Sequence, residues 1–168
     1  MIKILIDEEN LSKRIKELAK QIENDYKGKD IVLIGILKGS IMFMTELAKN
    51  IKSNTYLDFM EITSYEGTES TGNVQINKDV RNSIKGKDVI IVEDIVDTGR
   101  TLDYLLKYLN KKEPNSIKTV SMLSKPSRRV ININADYVGF EIEDKFVIGY
   151  GLDYNEKYRN LPYVGYIE

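Results

Sequence analysis

Val89-Ile90-Ile91-Val92-Glu93-Asp94-Ile95-Val96-Asp97-Thr98-Gly99-Arg100-Thr101 is the stretch that decides the fold. Its four leading aliphatic residues have no polar alternation, the pattern of a strand covered on both faces. Leu102, Leu105, Leu106 and Leu109 then recur at helical spacing. Open parallel sheets bind ligands beyond the carboxyl ends of their strands, which is where the intervening residues fall. Thr98 and Thr101 bring hydroxyls, Gly99 permits a tight turn, and the helix start offers free N–H groups. Together they make a cradle for a phosphate monoester. Glu93, Asp94 and Asp97 would repel that phosphate if they faced it. A ligand with phosphate at one end and hydroxyls at the other removes the conflict. Ribose 5-phosphate fits, with Glu93 and Asp94 accepting from the 2′ and 3′ hydroxyls directly or through magnesium. A solvated acidic turn with a helix cap is the plain alternative, and it leaves the convergence of acids, hydroxyls and glycine unexplained.

The same strand–turn–helix grammar extends outward. Ile31 to Leu37 is another unbroken apolar run, broken by Lys38-Gly39-Ser40, with a helix from Ile41 to about Ile51 capped by Ser40. Ile117 to Leu123 is a third buried strand. Tyr56 to Tyr65 and Val74 to Val80 read as strands around a polar, glycine-bearing loop, residues 66–73. Near the start, Leu11, Ile15, Leu18, Ala19, Ile22 and Tyr26 mark an amphipathic helix after a short apolar segment, Ile2 to Ile6. Asp7 caps it, Glu8 and Glu9 suit its positive end, and Gly28 ends it. Tyr137 to Phe140 and Phe146 to Ile148 are short strands ahead of an aromatic-rich tail, expected to form a small appendage. The fold class is α/β: a mostly parallel sheet flanked by helices, with a C-terminal hood at the sheet's edge. Residues 1–168 are expected to form one domain.

Composition removes whole mechanisms. The 168 residues include no Cys, His or Trp. There is therefore no disulfide, thiolate nucleophile, Ser-His-Asp triad or imidazole proton shuttle. Acid–base work falls to Asp, Glu, Lys or Tyr, and a bound metal should be a hard, oxygen-liking ion such as magnesium. With 25 Lys+Arg against 26 Asp+Glu, bulk attraction to nucleic acid is not expected. The start, MIKILIDEEN, lacks a signal-peptide core, and no apolar run approaches the ~20 residues of a membrane span. A cytoplasmic protein without membrane or nucleic-acid partners is expected.

VIIVEDIVDTGRTL, residues 89–102, resembles the phosphoribosyl-pyrophosphate motif of type I phosphoribosyltransferases. ILKGS at 36–40, SYEGTESTG at 64–72, SKPSRR at 124–129 and DKFVIGYGLDYNEKYRNLPYVG at 144–165 resemble, in order, segments of the hypoxanthine–guanine branch. The resemblance implies transfer of a ribosyl phosphate from phosphoribosyl pyrophosphate to a 6-oxopurine, with magnesium and release of pyrophosphate. It places ribose and phosphate on Glu93, Asp94, Asp97, Thr98, Gly99 and Thr101, with Arg100 at a position that varies. Lys38 and Gly39 fall in a pyrophosphate loop with a non-proline cis peptide at Leu37–Lys38, and Arg159 clamps the same group. Asp153 holds magnesium, with Glu93 and Asp94, and lies by the base. Lys125 donates to the purine 6-oxo group, Phe146 stacks on the ring, and the Val147 backbone bonds its edge. Asp97 is the acid–base group near purine N7. Ser64, Tyr65 and the loop to Asn73 resemble a mobile flap that excludes water. The family also implies a homodimer or homotetramer. Taken singly, Phe146 would read as core, Asp153 as a turn residue and Lys38 as an exposed lysine.

Three other readings compete. An enzyme preferring xanthine or a single oxopurine shares the class. A regulator of the same fold that binds RNA or DNA needs a basic face or an added domain. A nucleoside triphosphatase needs a GxxxxGK[ST] sequence, which the chain lacks.

Overall fold

Alternate residues of each apolar run turn to opposite sides, and both sides are filled. Ile31 and Leu33 face one core cluster, and Val32, Ile34 and Ile36 the other. Ile90 and Val92 separate in the same way from Val89 and Ile91. That double coverage is why these runs show no alternation. The computed structural model describes residues 1–64 and 74–168. The elements are β1 (Ile2–Ile6), α1 (Glu8–Asp25), β2 (Ile31–Leu37), α2 (Ile41–Asn50), β3 (Thr55–Ser64) and β4 (Val74–Lys78). There follow β5 (Asp88–Val96), α3 (Arg100–Asn110), β6 (Ser116–Ser124), a 3-10 turn (Pro126–Arg128), β7 (Tyr137–Glu141), β8 (Val147–Ile148) and β9 (Val164–Ile167).

The main sheet runs β4-β3-β2-β5-β6-β7, parallel throughout except for the antiparallel β3/β4 pair. Helices α1 and α2 cover one face, where Leu11, Ile15, Leu18, Ile22, Phe43, Met44 and Leu47 are buried. Helix α3 covers the other with Leu102, Leu105 and Leu109. Asp7 caps α1 as expected, its Oδ1 accepting from the Asn10 N–H at 2.8 Å.

Three expectations need correction. β7 pairs in parallel with β6, so Tyr137 to Phe140 belong to the main sheet and not to the appendage. Arg14 of α1 ties that strand down, donating to the carbonyls of Val138 and Gly139, each at 2.8 Å. The hood instead takes the N-terminal strand: β1, β9 and β8 form a separate antiparallel sheet, with Ile2 opposite Ile167. Ser40 precedes α2 but makes no side-chain cap; it is fully buried, and its hydroxyl has no partner among the described residues.

The central strand is also longer than its aliphatic stretch. β5 continues through Val96 because Glu93, Ile95 and Val96 still pair with Ser121, Leu123 and Ser124 of β6. The acids are thus in-strand residues on a rigid frame. No helix among the described residues is long and apolar enough to cross a membrane.

Leu105 is fully buried between α3 and the sheet. Leu105→Ala should lower unfolding free energy by about 2–5 kcal/mol, with little change in m-value, in urea titrations followed by circular dichroism.

Candidate active site

At the carboxyl ends of β2, β3 and β5 lies a cleft of about 380 Å³. Of the residues expected at a site, Gly39, Ser64, Glu93, Asp94, Asp97, Thr98, Gly99, Thr101, Asp153 and Arg159 line it. The β5–α3 turn needs its glycine. Gly99 adopts φ 89, and a Cβ there would meet the Ile133 side chain. At Gly39 the limit is space, since an added Cβ would collide with the Asp94 carboxylate. The loop after β2 thereby lies directly against the end of β5, across the cis Leu37–Lys38 peptide that the resemblance implied.

The acid pair is poorly solvated. Glu93 is buried, and its Oε1 has no hydrogen-bond partner among the described residues. Burial first, and the Asp94 charge second, push the Glu93 carboxyl well above the ordinary glutamate range. Burial also raises Asp94, to about 6; its bonds to main-chain N–H groups and Arg159 oppose this, while Asp153 adds to it. Glu93 lines the cleft, and a carboxyl oxygen without a partner there suits a ligand hydroxyl.

Other expected residues sit around the cleft and not on its wall. Lys125 is buried, its ammonium 3.7 Å from Asp144. Phe146 is exposed and packs edge-on against Tyr154, which rules out a core role. Val147 is buried in β8 opposite Tyr166. Arg100 begins α3 with its side chain exposed. Lys38 reaches across to Glu156, its Nζ 2.8 Å from the Glu156 carboxylate. Tyr65 and the loop to Asn73 fall outside the described residues.

Three residues without an individual assignment from sequence hold this arrangement. Arg129 donates to the main-chain carbonyls of Val96 and Asp97 at 2.9 and 2.7 Å, and to Ser124 Oγ at 2.7 Å. It thereby gives the Asp97 carbonyl a partner just past the end of β5 and shares the Val96 carbonyl with the Lys125 N–H. Arg128 donates to Asp97 Oδ1 at 3.0 Å. Glu156 joins Lys38 to Arg159, with its Oε1 3.0 Å from Arg159 Nη2. Sequence gave only a weak signal for them, the paired arginines of SKPSRR and the charged tail.

Among the described residues no three metal-ligating side chains cluster. The oxygen-only donors Glu93, Asp94 and Asp153 nonetheless suit magnesium, which commonly takes one or two carboxylates and completes its shell with substrate phosphates and water.

A sequence profile of the phosphoribosyl transferase domain matches residues 2–155. The chain belongs to the phosphoribosyltransferase family. A hypoxanthine-guanine phosphoribosyltransferase of Staphylococcus aureus is 52% identical over 96% of this chain and 91% of its own. The crystal structure of a Bacillus anthracis hypoxanthine-guanine phosphoribosyltransferase covers 100% of both chains at 46% identity, with a TM-score of 0.96. A Trypanosoma cruzi hypoxanthine phosphoribosyl transferase, solved in a study of its C-terminal region and oligomeric state, gives 0.95 at 42% identity over 99% of this chain and 91% of its own. This phosphoribosyltransferase keeps its motif acids on β5 and its hydroxyls at the start of α3, on one cleft.

The raised Asp94 has a consequence for stability. Its native carboxyl titrates near 6 and an unfolded aspartate near about 4, so the native state binds more protons between those values. Stability then falls as pH rises through that window, and the deficit persists at pH 7. Ligand-free Asp94→Asn should exceed the native chain by about 1–3 kcal/mol at pH 7, with the gap closing toward pH 4, in urea titrations across that range.

Proposed function

We propose that this chain transfers the 5-phosphoribosyl group of phosphoribosyl pyrophosphate to hypoxanthine or guanine in purine salvage. The products are IMP or GMP and pyrophosphate. The observation that carries this reading is the partnerless buried oxygen of Glu93, one strand-end away from a helix-start phosphate cradle in the same cleft. Ribose 5-phosphate presents hydroxyls at one end and a phosphate at the other.

The reaction breaks the bond from the anomeric carbon to pyrophosphate and forms a bond to a purine nitrogen, through an oxocarbenium-like state. Thr98, Gly99 and Thr101 hold the 5-phosphate at the positive end of α3. Glu93 and Asp94 accept from the ribose hydroxyls and fix the ring. Lys38, Gly39 and Arg159 bind the departing pyrophosphate, the guanidinium matching its oxygens in pairs. Magnesium, held by Asp153 or by the Glu93 and Asp94 pair, would neutralise charge on the pyrophosphate. Lys125 donates to the 6-oxo oxygen of the base and is oriented by Asp144. An adenine amine would meet it donor to donor. Phe146 offers an exposed ring for stacking, and Val147 meets the base through its main chain. Asp97, at the end of the motif and paired with Arg128, moves the proton at purine N7. Ser64, at the cleft edge, leads into the loop assigned to closure against water. The proposal extends to one domain over residues 1–168, a cytoplasmic setting, a homodimer or homotetramer, and no nucleic-acid partner.

Absorbance assays with phosphoribosyl pyrophosphate, magnesium and each of hypoxanthine, guanine, xanthine and adenine test this directly. Nucleotide should form fastest from hypoxanthine or guanine, and an absence of product from every base would end the reading. Asp97→Ala should lower kcat by about 10²–10⁴ with a small change in KM. Lys125→Ala should cost most with 6-oxopurines, and equal losses across all bases would make Lys125 structural.

A further inference from the structure

Lys38 and Arg159 come from distant segments, the loop after β2 and the turn before β9, yet a single carboxylate joins them. Glu156 Oε2 lies 2.8 Å from Lys38 Nζ, and its Oε1 lies 3.0 Å from Arg159 Nη2. The main chain aims it there. Asn155 and Glu156 both adopt left-handed backbone, at φ 50 and φ 64, and the Glu156 N–H donates to Asp153 Oδ2 at 2.8 Å. Two oxygens of one anionic group thus bridge the two cations given above to pyrophosphate, as phosphate oxygens would.

We propose that Glu156 is a built-in competitor for pyrophosphate. It pairs with Lys38 and, beside Asp153, with Arg159 while the site is free, yields them to the pyrophosphate end of the incoming substrate, and reclaims them as product leaves. The inference rests on the pyrophosphate role assigned to that cation pair. The contact is easily exchanged. The Lys38 and Glu156 side chains are 56% and 63% exposed, and ion pairs this open are weak. Pyrophosphate carries more charge than one carboxylate and displaces it. The cost of that displacement weakens binding of both substrate and product at this end.

The test is calorimetric titration of the full chain with inorganic pyrophosphate in the presence of magnesium. Lys38→Met should weaken binding by about tenfold. Glu156→Gln and Glu156→Ala should both tighten it, by about two- to fivefold, the first keeping shape and the second removing any new amide contact. A merely structural Glu156 would give weaker binding when replaced. If Lys38→Met binds as the native chain does, the cation assignment fails and takes this inference with it. If Lys38→Met weakens binding, tightening in both Glu156 variants supports the competitor. Any other result for that pair overturns it while the pyrophosphate assignment stands.

Discussion

A strand covered on both faces cannot carry adjacent charges near its end without consequence, and β5 carries two, Glu93 and Asp94. Its pairing with β6 carries through Val96, so Glu93 and Asp94 are fixed by the sheet before any ligand arrives. Their desolvation is the cost of that rigidity. The carboxyls take up protons more readily than free ones, and one Glu93 oxygen stays without a partner. Sugar hydroxyls, or a cation with its hydration shell, would relieve both conditions. Preorganisation and unmet polarity are here the same fact seen from two sides.

The rest of the cleft surrounds that strand end. Arg129 stops the ladder cleanly by taking the Val96 and Asp97 carbonyls, and the Lys125 N–H shares Val96 at 2.9 Å. The segment after β6 therefore grips the motif loop through main-chain contacts. Burial lowers the proton affinity of the Arg129 guanidinium, opposed by the charges of Asp97 and Glu141. Lys125, proposed above to meet the base, and Arg128 and Arg129, which hold Asp97 and its carbonyl, lie together on and beside one short turn.

Much of this was legible in the chain. The aliphatic runs at 31–37, 89–92 and 117–123 marked central strands because double burial removes polar alternation. Gly99 and the flanking threonines marked the tight turn into α3 by residue type alone. What escaped was set by partners remote in sequence. Ile2 to Ile6 gave no sign that it would pair with the last strand, since nothing in a five-residue apolar segment names its partner. Tyr137 to Phe140 looked peripheral because β7 is short and polar-flanked, and only its register with β6 puts it in the main sheet. Ser40 had the residue type of a cap, but its buried αR backbone turns it from that task. Glu156 bridges two cations through a left-handed turn, a geometry with no spacing rule.

The pairing of β1 with β9 sets an order of assembly. Ile2 meets Ile167, so this contact closes a loop of nearly the whole chain, while the β2–β5–β6 ladder joins far closer segments. During synthesis the parallel sheet and the β5–α3 turn can form well before the hood sheet has its middle strand. A polypeptide stopped short of Val164 would carry the acids and the glycine turn, with the segment bearing Asp153 and Arg159 left unanchored.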